Sequence, residues 1–122
     1  MTDSELLRIG TLLVATIANK HDRALLSMDN NDFARVIKDC QSKNNKLASY
    51  FRIAECAVGN IVPDFRQMTS ILHASAQISY DSQTFNAFRL RVGAKFATRC
   101  LTRYTKEEWQ DAEAIVTEWL KI

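Results

Sequence analysis

Apolar residues recur along most of this chain at intervals of three and four positions, which is the spacing of one face of an α-helix. The sequence has one proline and three glycines in 122 residues, so few positions would break a helix. No stretch stands out for sustained alternation of apolar and polar residues, and no strand is predicted. We therefore expect an all-α fold, a single-domain bundle of five to six helices over residues 1–122.

The first predicted helix covers residues 4–18, with Leu26 as an alternative end. Apolar side chains occupy most of its circumference, which is typical of a helix at the centre of a bundle or one covered by a partner. These residues are Leu6, Leu7, Ile9, Leu12, Leu13, Val14 and Ile17.

Three more helices are predicted before residue 81. The second begins near residue 30, at the polar run NND, whose side chains suit a helix cap. The third runs from Asn44 or Asn45 to Gly59, which would end it in a left-handed conformation. The fourth begins at Pro63, because the N–H that proline lacks has no partner in the first turn of a helix anyway.

The last two predicted helices are joined by a very short turn and are expected to pack antiparallel. Asp81 or Ser82 would cap the fifth, which covers residues 82–106. Thr105 and Glu108 match the sequence pattern of a capping box, which predicts the start of the sixth helix.

Charge is segregated along the chain, although the formal net charge is only +2. Residues 1–81 carry nine basic and nine acidic side chains, residues 82–106 six basic and none acidic, and residues 107–122 five acidic and one basic. Four basic residues of the middle segment recur every four positions: Arg91, Lys95, Arg99 and Arg103. On one helix they would form a stripe about 18 Å long. Like charges at this spacing repel, so the stripe needs compensating negative charge.

Two sources of that negative charge remain open. The acidic last helix could lie beside the fifth and form surface ion pairs, which are worth about 0–1 kcal/mol each. Its candidate groups are Glu107, Asp111 and Glu118, opposite Arg103, Arg99 and Lys95. The phosphates of a nucleic acid could compensate the stripe instead, because arginine binds phosphate through two parallel N–H donors.

The nucleic-acid alternative predicts which side chains would contact the phosphate backbone. The main candidates are Arg89, Arg91, Lys95, Arg99 and Arg103, and a thinner second patch consists of Lys43, Lys46 and Arg52. Tyr50, within the second patch, could stack on a base, although its spacing also fits packing in the core. The partner would be RNA or single-stranded DNA or both.

No arrangement of residues predicts an enzyme, a metal site or a cofactor site. The candidate ligands and nucleophiles are single residues on different predicted helices: Cys40, Cys56, Cys100, His21 and His73. The longest apolar stretch, residues 9–18, is too short to span a bilayer, so no membrane partner is expected. An odd number of widely spaced cysteines favours a reducing compartment, and we expect a cytoplasmic protein.

Residues 88–99 (FRLRVGAKFATR) mix apolar and basic side chains along one predicted helix. In this segment, and in its length and expected helical architecture, the chain resembles the small helical subunit of CRISPR effector complexes of the Cascade type. The resemblance implies an antiviral ribonucleoprotein assembly in which such subunits stack along guide RNA, beside other subunits or copies of themselves. It also implies strand contacts at Arg89, Arg91, Lys95, Arg99 and Arg103.

The sequence thus predicts a non-enzymatic protein that binds nucleic-acid backbone as a subunit of a larger assembly. The alternative is a protein–protein interaction adaptor or regulator that docks through its apolar first helix. That alternative requires a large exposed apolar patch on the isolated chain, formed by Leu6, Leu7, Leu13 and Ile17.

Overall fold

The computed structural model describes residues 1–21, 25–81 and 86–122. The described part contains both helices and strands. The helices are α1 (Asp3–Lys20), α2 (Asn30–Ser42), α3 (Asp64–Ala74), α4 (Ala94–Cys100) and α5 (Lys106–Leu120). The strands are β1 (Leu25–Ser27), β2 (Ala54–Cys56), β3 (Gly59–Ile61), β4 (Ile78–Tyr80) and β5 (Ala87–Leu90), and a 3-10 turn covers Ala48–Tyr50.

Helix α1 lies at the centre of the fold. It begins at a capping box, in which Thr2 accepts a hydrogen bond from the backbone N–H of Glu5 and the Glu5 carboxylate accepts one from the N–H of Thr2. Eleven of its residues are buried, from Leu6 to Ala18, because α3, α4 and α5 pack around it. The expectation of a central first helix is confirmed, and this chain itself supplies the cover.

A three-stranded antiparallel sheet, in the order β1-β5-β4, covers one side of the helices. Leu26, Phe88 and Tyr80 are paired across the three strands and therefore share a face. That face points to the core, where the rings of Phe88 and Trp119 lie 5.4 Å apart in an edge-to-face arrangement. Arg89 projects from the opposite face into solvent.

A second, two-stranded sheet is a hairpin formed by β2 and β3. The side-chain amide of Asn31 donates to the hairpin carbonyls of residues 58 and 60, at 3.0 and 2.8 Å. The neighbouring Asn30 pairs with both the N–H and the carbonyl of Val62, at 2.7 and 3.0 Å. The first turn of α2 therefore holds the hairpin in place through side-chain amides.

The expected all-α helical bundle is wrong, because two antiparallel sheets are present. The predicted third helix over residues 44–59 does not form, and the 3-10 turn, β2 and the start of β3 occupy this stretch. Gly59 has the expected positive φ of 107°, but it closes the hairpin. Val58, an apolar residue within that predicted helix, is 73% exposed at the hairpin tip. The hydrogen bonds from Asn30 and Asn31 that favour the hairpin join residues far apart in the sequence. The local spacing of apolar residues therefore does not predict them.

Of the predicted fifth helix over residues 82–106, only residues 94–100 are helical in the part that the structure describes. Residues 87–90 form β5, Gly93 has an extended backbone, and helix α4 begins only at Ala94. Residues 88–92 (FRLRV) alternate apolar and basic side chains, which is a strand pattern that also matches fourfold helical spacing over so short a run. Ser82, one predicted cap, lies outside the described residues.

The remaining predicted helices are present, with shifted ends. Helix α1 ends at Lys20, and Leu26 belongs to β1 instead of extending that helix. Asp29 caps α2 by accepting from two backbone N–H groups, one residue before the predicted polar run. The capping box at Thr105 and Glu108 is confirmed.

Helices α2 and α3 both end in a Schellman motif, with one left-handed residue just past the helix. In α2 this residue is Asn44 (φ 62°), a type that tolerates the conformation. In α3 it is Ala76 (φ 62°), whose N–H bonds to the carbonyl of His73 while that of Gln77 bonds to Leu72. Ala76 therefore holds a strained backbone that fixes the position of Gln77.

Ala76→Gly should raise the free energy of unfolding by about 0.5–1 kcal/mol. The left-handed backbone costs a residue with a Cβ about 1–2 kcal/mol, and the added freedom of glycine in the unfolded chain cancels about 0.4–1 kcal/mol of the gain. Urea denaturation measures the difference. Ala114→Gly, at an exposed position inside α5, is the matched control and should lose about 1 kcal/mol. A loss of stability in both variants would contradict the strain at Ala76.

Candidate functional site

The basic segment, defined as Arg89, Arg91, Lys95, Arg99 and Arg103, is spread over a strand, a connection and a short helix. Arg89 lies on β5, Lys95 and Arg99 lie one turn apart on α4, and Arg103 precedes α5. All five side chains are exposed. None of them forms an ion pair within 4 Å with a described residue. The segment is therefore unneutralised by direct contact, although it is not one rigid helical stripe.

Three carboxylates of α5, those of Glu108, Glu113 and Glu118, form ion pairs outside the basic segment. Glu108 accepts two hydrogen bonds from the Arg8 guanidinium, at 2.7 and 3.0 Å, and this contact lowers the pKa of Glu108. Glu113 pairs with Lys20. Of the three carboxylates proposed to neutralise the basic segment, Glu118 pairs with Lys121 at 2.9 Å. None of the three forms an ion pair with that segment among the described residues.

Two tyrosines, Tyr104 and Tyr50, lie near Arg8. Its guanidinium carbon lies 5.0 Å from the centre of the Tyr104 ring, within cation–π distance. The Tyr104 hydroxyl donates to the backbone carbonyl of Arg8 at 2.8 Å, and burial raises the pKa of Tyr104 to about 12. Arg8 also lines a small depression, of about 140 Å³, together with Tyr50. Tyr50 is 62% exposed, so the alternative of core packing for this ring is wrong.

The second patch of Lys43, Lys46 and Arg52 is exposed as well. Lys46 and Arg52 flank the 3-10 turn that carries Tyr50. Arg8 shares one depression with Tyr50 and an open cleft with Arg103. Arg8 and Tyr50 therefore lie between the two basic regions on the surface.

The open cleft beside Arg103 has a volume of about 470 Å³. We call it the Arg103 cleft. Its walls include Leu7 and Arg8 from α1, Phe96 from α4, and Arg103 and Tyr104 from the turn between α4 and α5, and the buried residues Thr11 and Gln77 also line it. This volume lies in the range of small-molecule sites, which is about 300–1,000 Å³.

Gln77 is the one buried polar side chain of the described residues with an unpaired atom. The residue is 7% exposed, and its Nε2 donates to the hydroxyls of Thr11 at 2.9 Å and Ser75 at 3.3 Å. Its Oε1 is buried and accepts no hydrogen bond from the described residues. An unpaired buried acceptor costs about 1–3 kcal/mol. A ligand that donates a hydrogen bond to this atom would recover that cost.

Sequence reasoning did not select Arg8, Gln77 or Tyr104. Tyr104 and Glu108 each contact Arg8 across about 100 positions of sequence, at separations of 96 and 100 residues. Gln77 and Thr11 are 66 residues apart. No local sequence pattern predicts contacts between residues so far apart in the sequence. The sequence pattern found the exposed charges and missed the cleft between them.

The described part of the chain contains neither a cluster of metal-binding side chains nor a helix that could span a membrane. Residues 1–21, 25–81 and 86–122 contain no group of three or more His, Cys, Asp or Glu side chains that could hold a metal ion. None of their helices is long and apolar enough to cross a bilayer.

Comparisons with protein-family models, with curated proteins and with solved structures find no match to this chain. The all-helical architecture that contributed to the resemblance of residues 88–99 to CRISPR small subunits is not present. The resemblance itself stays a prediction.

The apolar patch required by the adaptor alternative is not exposed. Leu6, Leu13 and Ile17 are at most 1% exposed, because α3, α4 and α5 cover them. Leu7 is 39% exposed and lies at the rim of the Arg103 cleft. A single leucine does not form a docking surface.

Tyr104→Phe should lower stability at pH 8 by about 1 kcal/mol, because the hydrogen bond to the Arg8 carbonyl is lost. The raised pKa of Tyr104 stabilises the fold below pH 10, and this contribution is lost between about pH 10 and pH 12. The deficit of the variant should therefore shrink at pH 11. Urea midpoints at both pH values, with Tyr50→Phe as an exposed control, measure this change. A deficit that does not change with pH would contradict the assignment.

Proposed function

We propose that this protein is a non-enzymatic module that binds the phosphate backbone of nucleic acid through its basic segment. One observation carries the proposal: five basic side chains between positions 89 and 103 are exposed and have no carboxylate partner among the described residues. The acidic helix next in sequence, which offered the other explanation, directs Glu108 and Glu113 to α1.

Residue type and placement support the same function. Four of the five side chains are arginines, which present a planar fork of donors that matches two phosphate oxygens. Lys95 and Arg99 are one turn apart on α4 and both are exposed, so they can contact successive phosphates. Phosphate contacts of this kind supply affinity with little sequence preference.

Arg8 and Tyr50 extend this surface towards the second patch of Lys43, Lys46 and Arg52. The exposed Tyr50 ring provides a face on which a base can stack. The charge of Arg8 is already balanced by Glu108. We therefore assign Arg8 to positioning the neighbouring side chains and not to direct contact with phosphate. A place in a larger assembly, with other subunits or copies of itself, stays a prediction from the resemblance. A cytoplasmic location stays a prediction from the cysteine pattern.

The salt dependence of oligonucleotide binding tests the proposal. Five phosphate contacts predict a slope of log affinity against log salt of about −3.5 for single strands or about −4.5 for duplex. The triple variant Arg91→Ala, Arg99→Ala and Arg103→Ala should flatten the slope by about two to three units and weaken all sequences alike. Fluorescence anisotropy with labelled 15-mers at several salt concentrations measures both quantities.

The matched control is the triple variant Arg35→Ala, Lys38→Ala and Arg66→Ala, which removes the same charge from exposed positions on α2 and α3. It should keep most of the affinity and slope of the wild-type protein. Equal affinities of the wild-type protein and both variants would contradict the proposal, and so would an equal loss in both variants, which would indicate net charge alone.

A further inference from the structure

We propose that the Arg103 cleft binds one unpaired nucleobase that carries an exocyclic amino group, so that the bound strand is single-stranded. This inference rests on the proposed function and adds to it a strand type and a base preference. It is carried by the buried amide of Gln77 and by the guanidinium of Arg103 in the same cleft, which forms no ion pair with a described residue.

The hydrogen bonds that the Gln77 amide already forms determine which kind of ligand it can bind. Both donor contacts of Nε2 are directed to Thr11 and Ser75, so the amide has only its acceptor, Oε1, left to use. Adenine and cytosine present an exocyclic amino donor, whereas thymine presents a carbonyl acceptor at the corresponding position. An acceptor facing Oε1 would be repelled. The cleft should therefore favour adenine and cytosine over thymine and uracil.

The walls of the cleft suit a flat ring with a phosphate attached. Phe96 and Tyr104 are half-buried and line it, and aromatic side chains are the usual surface against which unpaired bases pack. Arg103 is exposed and forms no ion pair with a described residue, so its guanidinium can hold the phosphate of the same nucleotide. A base in a duplex is stacked and paired, and it cannot enter this cleft without leaving the helix.

Entry of a base requires a side-chain movement. Oε1 of Gln77 is buried in the free chain. Leu7 and Arg103 are exposed at the same cleft, and exposed side chains change rotamer within nanoseconds. We place the opening at these two residues, because the remaining apolar wall is packed against α1 and α5.

A comparison of two strands on the wild-type protein tests the inference without any variant. One is a 15-mer of deoxyadenosine, and the other has the same length but contains deoxynebularine, a purine that lacks the amino group. The adenine strand should bind three- to tenfold more tightly, and a duplex 15-mer should bind less tightly than either. Equal affinities for the two single strands would overturn the inference.

The variant Gln77→Met keeps the length of the side chain and removes the acceptor. It should abolish the preference for adenine, so that the ratio of the affinities for the adenine and nebularine strands falls to about one. In a parallel NMR titration, adenosine monophosphate should shift the side-chain amide signals of Gln77 and leave those of the exposed Gln67 in place. Shifts of neither amide, or of both equally, would count against the cleft.

These experiments separate the inference from the proposed function. If all strands bind with the expected salt slope but adenine and nebularine strands bind equally, the cleft inference fails and backbone binding stands. If no strand binds, the proposed function fails, and the adenosine monophosphate titration then decides whether the cleft still holds a base. Shifts of the Gln77 amide would support the cleft, and their absence would overturn it.

Discussion

The burial of α1 is the constraint on which the rest of this structure depends. Eleven residues of the helix are buried, and apolar side chains surround most of its axis. Such a helix is stable in water only if other elements cover it on several sides. Helices α3, α4 and α5 do so, and Gly10 lets α3 come close, since a Cβ there would lie 3.1 Å from side-chain atoms of Leu72 and Met68.

The charge distribution follows from this packing. Helix α5 lies against α1, so Glu108 and Glu113 meet Arg8 and Lys20 at its surface. Helix α4 also packs on α1, through Ala97 and Cys100, and its remaining face carries Lys95 and Arg99 to solvent. Glu108 and Glu113 are thus balanced by the first helix, and the basic segment forms no ion pair with a described residue. The Arg103 cleft is the gap between the end of α3, the start of α1 and the turn after α4.

Local patterns in the sequence predicted some parts of this fold and not others. A long apolar face identified α1 and a capping box identified α5, because both signals are local. The hairpin depends on amide contacts from Asn30 and Asn31 more than 25 residues away, which no spacing reveals. For residues 88–92 the strand signal was present, but a run of five residues also satisfies a helical period. Exposure of the basic side chains could be expected from their type. The unpaired acceptor of Gln77 could not be predicted from the sequence, because it depends on the left-handed turn at Ala76 and on the contact with Thr11.

The central position of α1 also has a consequence for synthesis. A ribosome makes this helix before any of the three helices that cover it, and α5 emerges about 100 residues later. Until then its leucines and isoleucines have no native partners, and contacts over such separations form slowly. During translation the nascent chain therefore exposes a helix that is apolar on nearly all sides, which is the kind of segment that chaperones bind and that aggregates if left uncovered. The late arrival of the acidic helix completes both the core and the neutralisation of Arg8 and Lys20 in one step.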